Sequence, residues 1–409
     1  MKILRLDFES RGVVELGGQK SVGLWNYMTH PLTTLLMLAY KLPDSSVVKL
    51  WRIAQGEPMP EELRAALLDP EVMISAFNCA FERYGLWHKL GIYIPATRFI
   101  DPQVGARYLA MPGDLDSACH ILSLPFHLRK DKRGEDLIDL FSKPKKRPKK
   151  EGGGLYFNDW NTHPKEWEEF CEYCRQDVIA EEEVYRRIEI LQALPMPPFE
   201  RKLWEFDQVV NDRGMPVDID FVTKALGLAE RAKQEALDSQ NALTGLENAN
   251  STQQLLPWAR QRGYPYNTLN KAFVEAAIKD PECKMNELCI KVLKARRVAA
   301  STSYTKLSAI LRQVCADGRL RNQFIYLGSS RCGRWAGGGV QLHNLARPET
   351  LGKSDANPDG YDFEDVEVIV EARALVYAEK YDEIKAKYGD VLAVIKNLIR
   401  TAFVAPEIA

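Results

Sequence analysis

The sequence predicts an α/β protein in which a mixed sheet with flanking helices comes first and a mainly helical region follows. Three observations carry that prediction. Short apolar, β-rich segments crowd the start of the chain, at residues 3–8, 33–40 and 46–53, spaced as in an antiparallel or mixed meander. From Pro60 the pattern turns helical, with Glu61 and Glu62 ahead of Leu63, Ala66 and Leu67, and returns to a short apolar strand at 72–76. Beyond Pro195-Met196-Pro197-Pro198, too proline-rich for helix or central strand, long helical stretches dominate at 199–210, 221–243, 253–262 and 287–315. A chain of 409 residues exceeds one ordinary core. The proline cluster closes a first domain at 1–195.

With 55 Lys and Arg against 56 Asp and Glu the charge nearly balances, so any polyanion must be met by local patches of one sign. The eight cysteines, spread from Cys79 to Cys332, lack the density of a disulfide framework and fit a reducing, cytoplasmic setting. Cys171 and Cys174 form a C-x-x-C with no second pair and read as helix residues, not a zinc site. No charged-then-apolar leader and no apolar run of membrane length is present, so no membrane partner is expected.

The chemistry starts at Asp7-x-Glu9. On a strand, residues two apart share a face, so Asp7 and Glu9 project together while Leu4, Leu6 and Phe8 enter the core. Side-by-side carboxylates repel unless a hard divalent cation sits between them; a solvated strand end is the competing reading. After the strand at 72–76, Asn78 is placed to cap a helix, with Glu82 one turn in. In the helical stretch 165–191, Tyr173 and Asp177 are four apart and share a face. Asp101, followed by Pro102, reads as an N-cap with proline at the first helical position.

In this order, Asp7-x-Glu9, Asn78-x-x-x-Glu82 and Tyr173-x-x-x-Asp177 resemble the three exonuclease motifs of the DEDD superfamily in its tyrosine-containing branch, which includes the proofreading domains of family A DNA polymerases. The resemblance implies a ribonuclease H-like exonuclease domain over 1–195. Asp7, Glu9, Glu82 and Asp177 would hold two divalent ions, Mg²⁺ or Mn²⁺, and Tyr173 would orient the attacking water. Asn78 would touch the DNA strand. The family usually has Asp where this chain has Glu82, and the extra methylene implies a shifted backbone or a looser second ion. Six basic residues in the eight from Lys143 to Lys150, interrupted by prolines, read as a mobile loop and a candidate phosphate-touching flap.

The later regions extend the resemblance to bacteriophage members of family A. Residues 211–218 resemble the passage from exonuclease to thumb. Lys291, Lys294, Arg296, Arg297 and Lys306 give a thumb-like basic excess, from which Lys294 and Arg297 are expected to meet duplex phosphates. The run from Arg331 to Pro348 resembles the entry to the palm, which implies a thumb over 196–320 and the start of a palm over 321–409. There Arg331, Arg334, Gln341 and Asn344 would donate to the minor-groove acceptors that every correct base pair presents, and the glycines of that run would let backbone approach DNA. Residues 391–407 resemble the segment before the first catalytic palm strand.

The palm aspartates of the family have no counterpart among these residues, so no polymerisation is expected from this chain alone. The resemblance implies single-stranded 3′ ends and primer-template DNA as partners, with a separate palm-and-fingers polypeptide as a further one. The alternatives are a DNA-binding subunit of a split polymerase with a weakened exonuclease, and an RNA-trimming DEDD exonuclease.

Overall fold

Leu4, Leu6 and Phe8 alternate along the first strand, and burying that alternation makes Lys2–Arg11 (β1) the middle of a sheet. The computed structural model describes residues 1–129, 133–299, 305–329 and 332–405. With Thr34–Lys41 (β2), Lys49–Trp51 (β3), Val72–Ser75 (β4) and Phe99–Ile100 (β5), β1 forms a five-stranded sheet of order β3-β2-β1-β4-β5. It is antiparallel to β2 and parallel to β4, while β3 runs antiparallel to β2 and β5 parallel to β4. The expected mixed sheet is therefore present. The side chains of β2 from Leu35 to Tyr40 are all buried, as befits a strand covered on both faces.

The helices of this part are Leu24–Thr29 (α1), Glu61–Leu68 (α2), Ala80–Tyr84 (α3), Pro102–Tyr108 (α4), Leu115–Ile121 (α5), Gly134–Phe141 (α6), Pro164–Ile190 (α7) and Pro198–Arg213 (α8), of which α2, α3 and α7 pack directly on the sheet. On α7, the buried Cys171, Cys174 and Val178 pack with Leu36, Met37 and Ala39 of β2; the two cysteines are helix residues, as the sequence suggested, and belong to the core. Asp101 caps α4 by accepting from the Gln103 N–H, with Pro102 next in line.

Two local expectations need correction. Asn78 does not cap α3. It sits at φ 66, its own N–H donates to Asp101 Oδ1 at 2.9 Å, and the residue preceding α3 is Cys79, without a side-chain cap. The basic run is not a loop throughout, because Lys145–Lys146 (β6) pairs antiparallel with Leu155–Tyr156 (β7). Gly152, Gly153 and Gly154, all at positive φ, supply the left-handed backbone in the connection between these strands.

By packing the chain divides into Met1–Gly214 with Arg312–His343, and Met215–Leu311 with Asn344–Ala409. The expected cuts after 195 and 320 fall elsewhere. The proline cluster starts α8 instead of ending a domain, with Trp204 of α8 buried in the same core as Leu194 and Met196. Residues 312–343 join the first unit by specific bonds: Asn26 Nδ2 donates to the Gln313 carbonyl at 2.9 Å, and Asn211 exchanges two hydrogen bonds with the Phe324 backbone, each 3.0 Å.

The second unit is helical, with Ile219–Thr244 (α9), Thr252–Arg260 (α10), Lys271–Lys279 (α11), Glu287–Ala299 (α12), Thr305–Gln313 (α13, whose last two residues count with the first unit), Val366–Tyr377 (α14), Tyr381–Tyr388 (α15) and Val391–Leu398 (α16). Helix α9 packs on α12, α14 and α16. The helix expected over 287–315 is described as α12 and α13, residues 300–304 lying outside the described ones.

Candidate metal centre and nucleic-acid interface

β1 turns Asp7 and Glu9 to the face opposite Leu4, Leu6 and Phe8, and α7 brings Asp177 to them. One carboxylate oxygen from each of Asp7, Glu9 and Asp177 lies within 4.8 Å of the other two. Glu82 on α3 is 3% exposed, and its Oε2 has no hydrogen-bond partner among the described residues. Burial, and then the negative charge of Asp7, push its carboxyl well above the usual carboxylate range, against the pull of a hydrogen bond from the Phe8 backbone. Glu82 therefore lies within reach of the Asp7 charge but outside the three-carboxylate cluster.

The Tyr173 hydroxyl donates to Asp177, and burial together with the charges of Asp177, Glu9 and Asp7 raises its pKa far above the ordinary phenol value. Its ring stacks on Phe170 at 6.0 Å. At Gly134, the first residue of α6, a Cβ would lie 2.1 Å from Tyr173 Cε2 and 2.8 Å from the hydroxyl. Cys174 Sγ lies 3.5 Å from the Asp7 carbonyl oxygen and 3.7 Å from Asp7 Oδ2. Sequence reasoning passed over Gly134 and Cys174; a glycine opening an amphipathic helix was the one available signal for the former.

The donor set suits a hard divalent cation: carboxylate oxygens converge, and a buried carboxylate oxygen of Glu82 lacks a partner among the described residues. Among the described residues this is the single group of three or more metal-ligating side chains.

Next to Glu82, Arg83 is 2% exposed. Its guanidinium holds both oxygens of Asp212, Nη1 to Oδ2 at 2.6 Å and Nη2 to Oδ1 at 2.8 Å, and also donates to Gln208 Oε1 at 3.1 Å. Tyr84 OH donates to Asp212 Oδ1 at 2.5 Å and accepts from Asn322 Nδ2 at 2.9 Å.

The expected DNA-contact residues are more dispersed. Asn78 is exposed. Arg334 is exposed on the hairpin Phe324–Ser329/Arg334–Gly337, its Nε 3.1 Å from Cys332 Sγ, and the hairpin is fastened to α8 by Trp335 Nε1 donating to the buried Asp207 at 2.7 Å. Arg331 lies outside the described residues. Gln341 is exposed in the first unit, and Asn344 is exposed in the second.

The glycines here serve the chain's own packing. A Cβ at Gly337, Gly338 or Gly339 would lie 2.2 Å from His343, 2.9 Å from the Asn322 carbonyl oxygen or 2.2 Å from Gln313 Oε1. On α12 Lys294 is exposed, the side chain of Arg297 lies outside the described ones, and Arg296 donates to the Asn250 carbonyl and Thr252 Oγ1.

No family model matches the chain. Over 407 residues, all of this chain, the sequence is 34% identical to a protein described as DNA polymerase from Bacillus phage SP02, taking in 58% of that relative; the chain thus spans less than two thirds of the relative's length. The structure is similar to the POL domain of Pol1 from M. smegmatis, solved in complex with DNA primer-template and dNTP, with a TM-score of 0.52 and 12% identity over 87% of this chain and 53% of that one. At that identity the second likeness is one of fold. Along its whole length, then, this chain is similar in sequence to part of a phage DNA polymerase, and most of it is similar in fold to a solved polymerase domain.

Proposed function

We propose that this chain is the nuclease and primer-binding part of a family A DNA polymerase of phage type, and that its first unit is a ribonuclease H-like DEDDy exonuclease removing nucleotides from DNA 3′ ends. The observation that carries the reading is the meeting of Asp7, Glu9 and Asp177 within 4.8 Å, beside Tyr173 and Glu82. These residues come from β1, α3 and α7 in the order of the three motifs.

Two Mg²⁺ or Mn²⁺ ions held there would supply an acidified water and stabilise the departing 3′ oxygen. Asp7, Glu9 and Asp177 would hold them, with Glu82 as a further ligand on the Asp7 side. The Tyr173 hydroxyl, oriented by Asp177, holds the attacking water in line with the terminal phosphodiester. Asn78, exposed close to α3, contacts the strand. The basic ribbon around Lys146, Lys149 and Lys150 neutralises its phosphates. Arg331, Arg334, Gln341 and Asn344 meet the minor groove of primer-template DNA, Lys294 and Arg297 its phosphates, and a palm-and-fingers polypeptide would complete synthesis. The likeness to a DNA polymerase supports DNA, not RNA, as the polymer.

Asp7→Ala is expected to abolish metal-dependent release of 5′-mononucleotides from single-stranded DNA; release at the unsubstituted rate removes Asp7 from the mechanism. The burial of Glu82 outside the close cluster favours one second reading, a DNA-binding subunit whose nuclease is weak. In that case the unsubstituted chain binds duplex but releases no nucleotide with either Mg²⁺ or Mn²⁺.

A further inference from the structure

We infer that Arg83 is a positioning residue for Glu82: clamped onto Asp212, it fixes the rotation of α3 so that the Glu82 carboxylate stays turned to Asp7. The inference rests on the nuclease reading above and adds to it a residue that touches neither metal nor substrate.

Helix α3 has five residues, lacks a side-chain cap at its start, and runs into a π-helical turn, Gly85–Lys89. A helix this short does not hold itself, so its orientation is set from outside. Successive helical residues point about 100° apart; pinning the two positions after Glu82 therefore fixes where Glu82 points. Both are pinned to one carboxylate, Arg83 by two prongs and Tyr84 by its hydroxyl, and Asn322 holds Tyr84 from the other side.

An apolar side chain would fill the Arg83 site at lower desolvation cost, and Arg83 Nε has no partner among the described residues. What the guanidinium fork adds is direction. Asp212 belongs to α8, which also carries Asp207 and Asn211, the partners of Trp335 and Phe324. The same helix thus orients the Glu82 segment and the hairpin that bears Arg334.

The test uses the full chain and Mn²⁺ as probe. Arg83→Lys keeps the charge and loses the fork; the pair Arg83→Met with Asp212→Leu keeps the packing and removes both charges. Folding is followed by circular dichroism, Mn²⁺ affinity by electron paramagnetic resonance, and hydrolysis of a single-stranded oligonucleotide by its metal dependence. Either folded variant is expected to bind Mn²⁺ on the order of tenfold more weakly, with kcat reduced in proportion and KM for the oligonucleotide unchanged. In a Glu82→Gln background Arg83→Lys is expected to add nothing. A folded variant with unaltered Mn²⁺ affinity overturns the inference, as does a full further loss in the Glu82→Gln background. If Arg83→Lys does not fold, the apolar pair decides. If the unsubstituted chain neither binds Mn²⁺ nor hydrolyses DNA, the nuclease reading itself falls.

Discussion

Gly134→Ala is the sharpest probe of the tyrosine's place in the site. The added Cβ would stand 2.1 Å from Tyr173 Cε2, where carbon atoms keep about 3.5 Å. Ring or helix must therefore retreat by about 1.4 Å, the difference of those two distances. The Gly134 backbone is ordinary helix, so the substitution acts by volume and not by strain. Overpacking of this kind costs roughly 1–3 kcal/mol, a fall in Tm of about 2–12 °C in a unit of this size. The effect on chemistry is larger, because a misplacement on the order of 1 Å lowers rates by about 10²-fold. The assay is nucleotide release from a 5′-labelled single strand under saturating Mn²⁺, beside a thermal melt. Tyr173→Phe is the control, since it removes the hydroxyl without a clash and should lose rate with little loss of Tm. A Gly134→Ala protein that melts lower yet releases nucleotides at the full rate refutes the claim that the Tyr173 hydroxyl must stay where it is.

Two further expectations follow from the electrostatics. Burial pushes the Asp207 carboxyl up to about 6 from its ordinary 3.8, while the hydrogen bond from Trp335 favours its charged form. Because the folded state binds the proton more tightly, this group's contribution to stability falls as pH rises from about 3.8 to about 6. Trp335→Phe removes a bond worth roughly 1.5–3 kcal/mol to a charged group, so melts should show a greater loss at about pH 8 than at about pH 4, and equal losses contradict the assignment. Neutralising Lys146, Lys149 and Lys150 together should flatten the salt dependence of single-strand binding by about 2 in log–log slope, from about 0.7 per phosphate contact. An unchanged slope takes the ribbon out of the interface.

Much of the site was legible because its geometry is local. The alternation in 3–8 dictates the faces of β1, and a four-residue spacing on α7 dictates that Tyr173 and Asp177 share a side; the structure has both features. What joins these segments was legible through motif order and not through periodicity. The misreadings have physical causes as well. Asn78 looked like a cap, but the carboxylate that takes its N–H, Asp101, is 23 residues away. The fork between Arg83 and Asp212 spans 129 positions, a distance at which neither spacing nor propensity carries information. The basic run looked like a loop because its strand partner lies beyond three glycines, all in left-handed backbone. The packing division falls at 214 and not at the prolines because the proline cluster opens α8, and prolines suit the first turn of a helix.

The first unit is assembled from two separated stretches of chain, residues 1–214 and 312–343, and this sets an order of events during synthesis. While the ribosome is still translating the stretch from 215 to 311, the amides of Asn26 and Asn211 wait for the Gln313 and Phe324 backbone groups that later satisfy them. An N-terminal piece released at Gly214 would leave the buried Asp207 without the indole of Trp335 and Tyr84 without Asn322. The first unit of this protein is thus finished late, and protease resistance in nascent chains should rise when the strand bearing Trp335 clears the exit tunnel, long after Asp177 has been made.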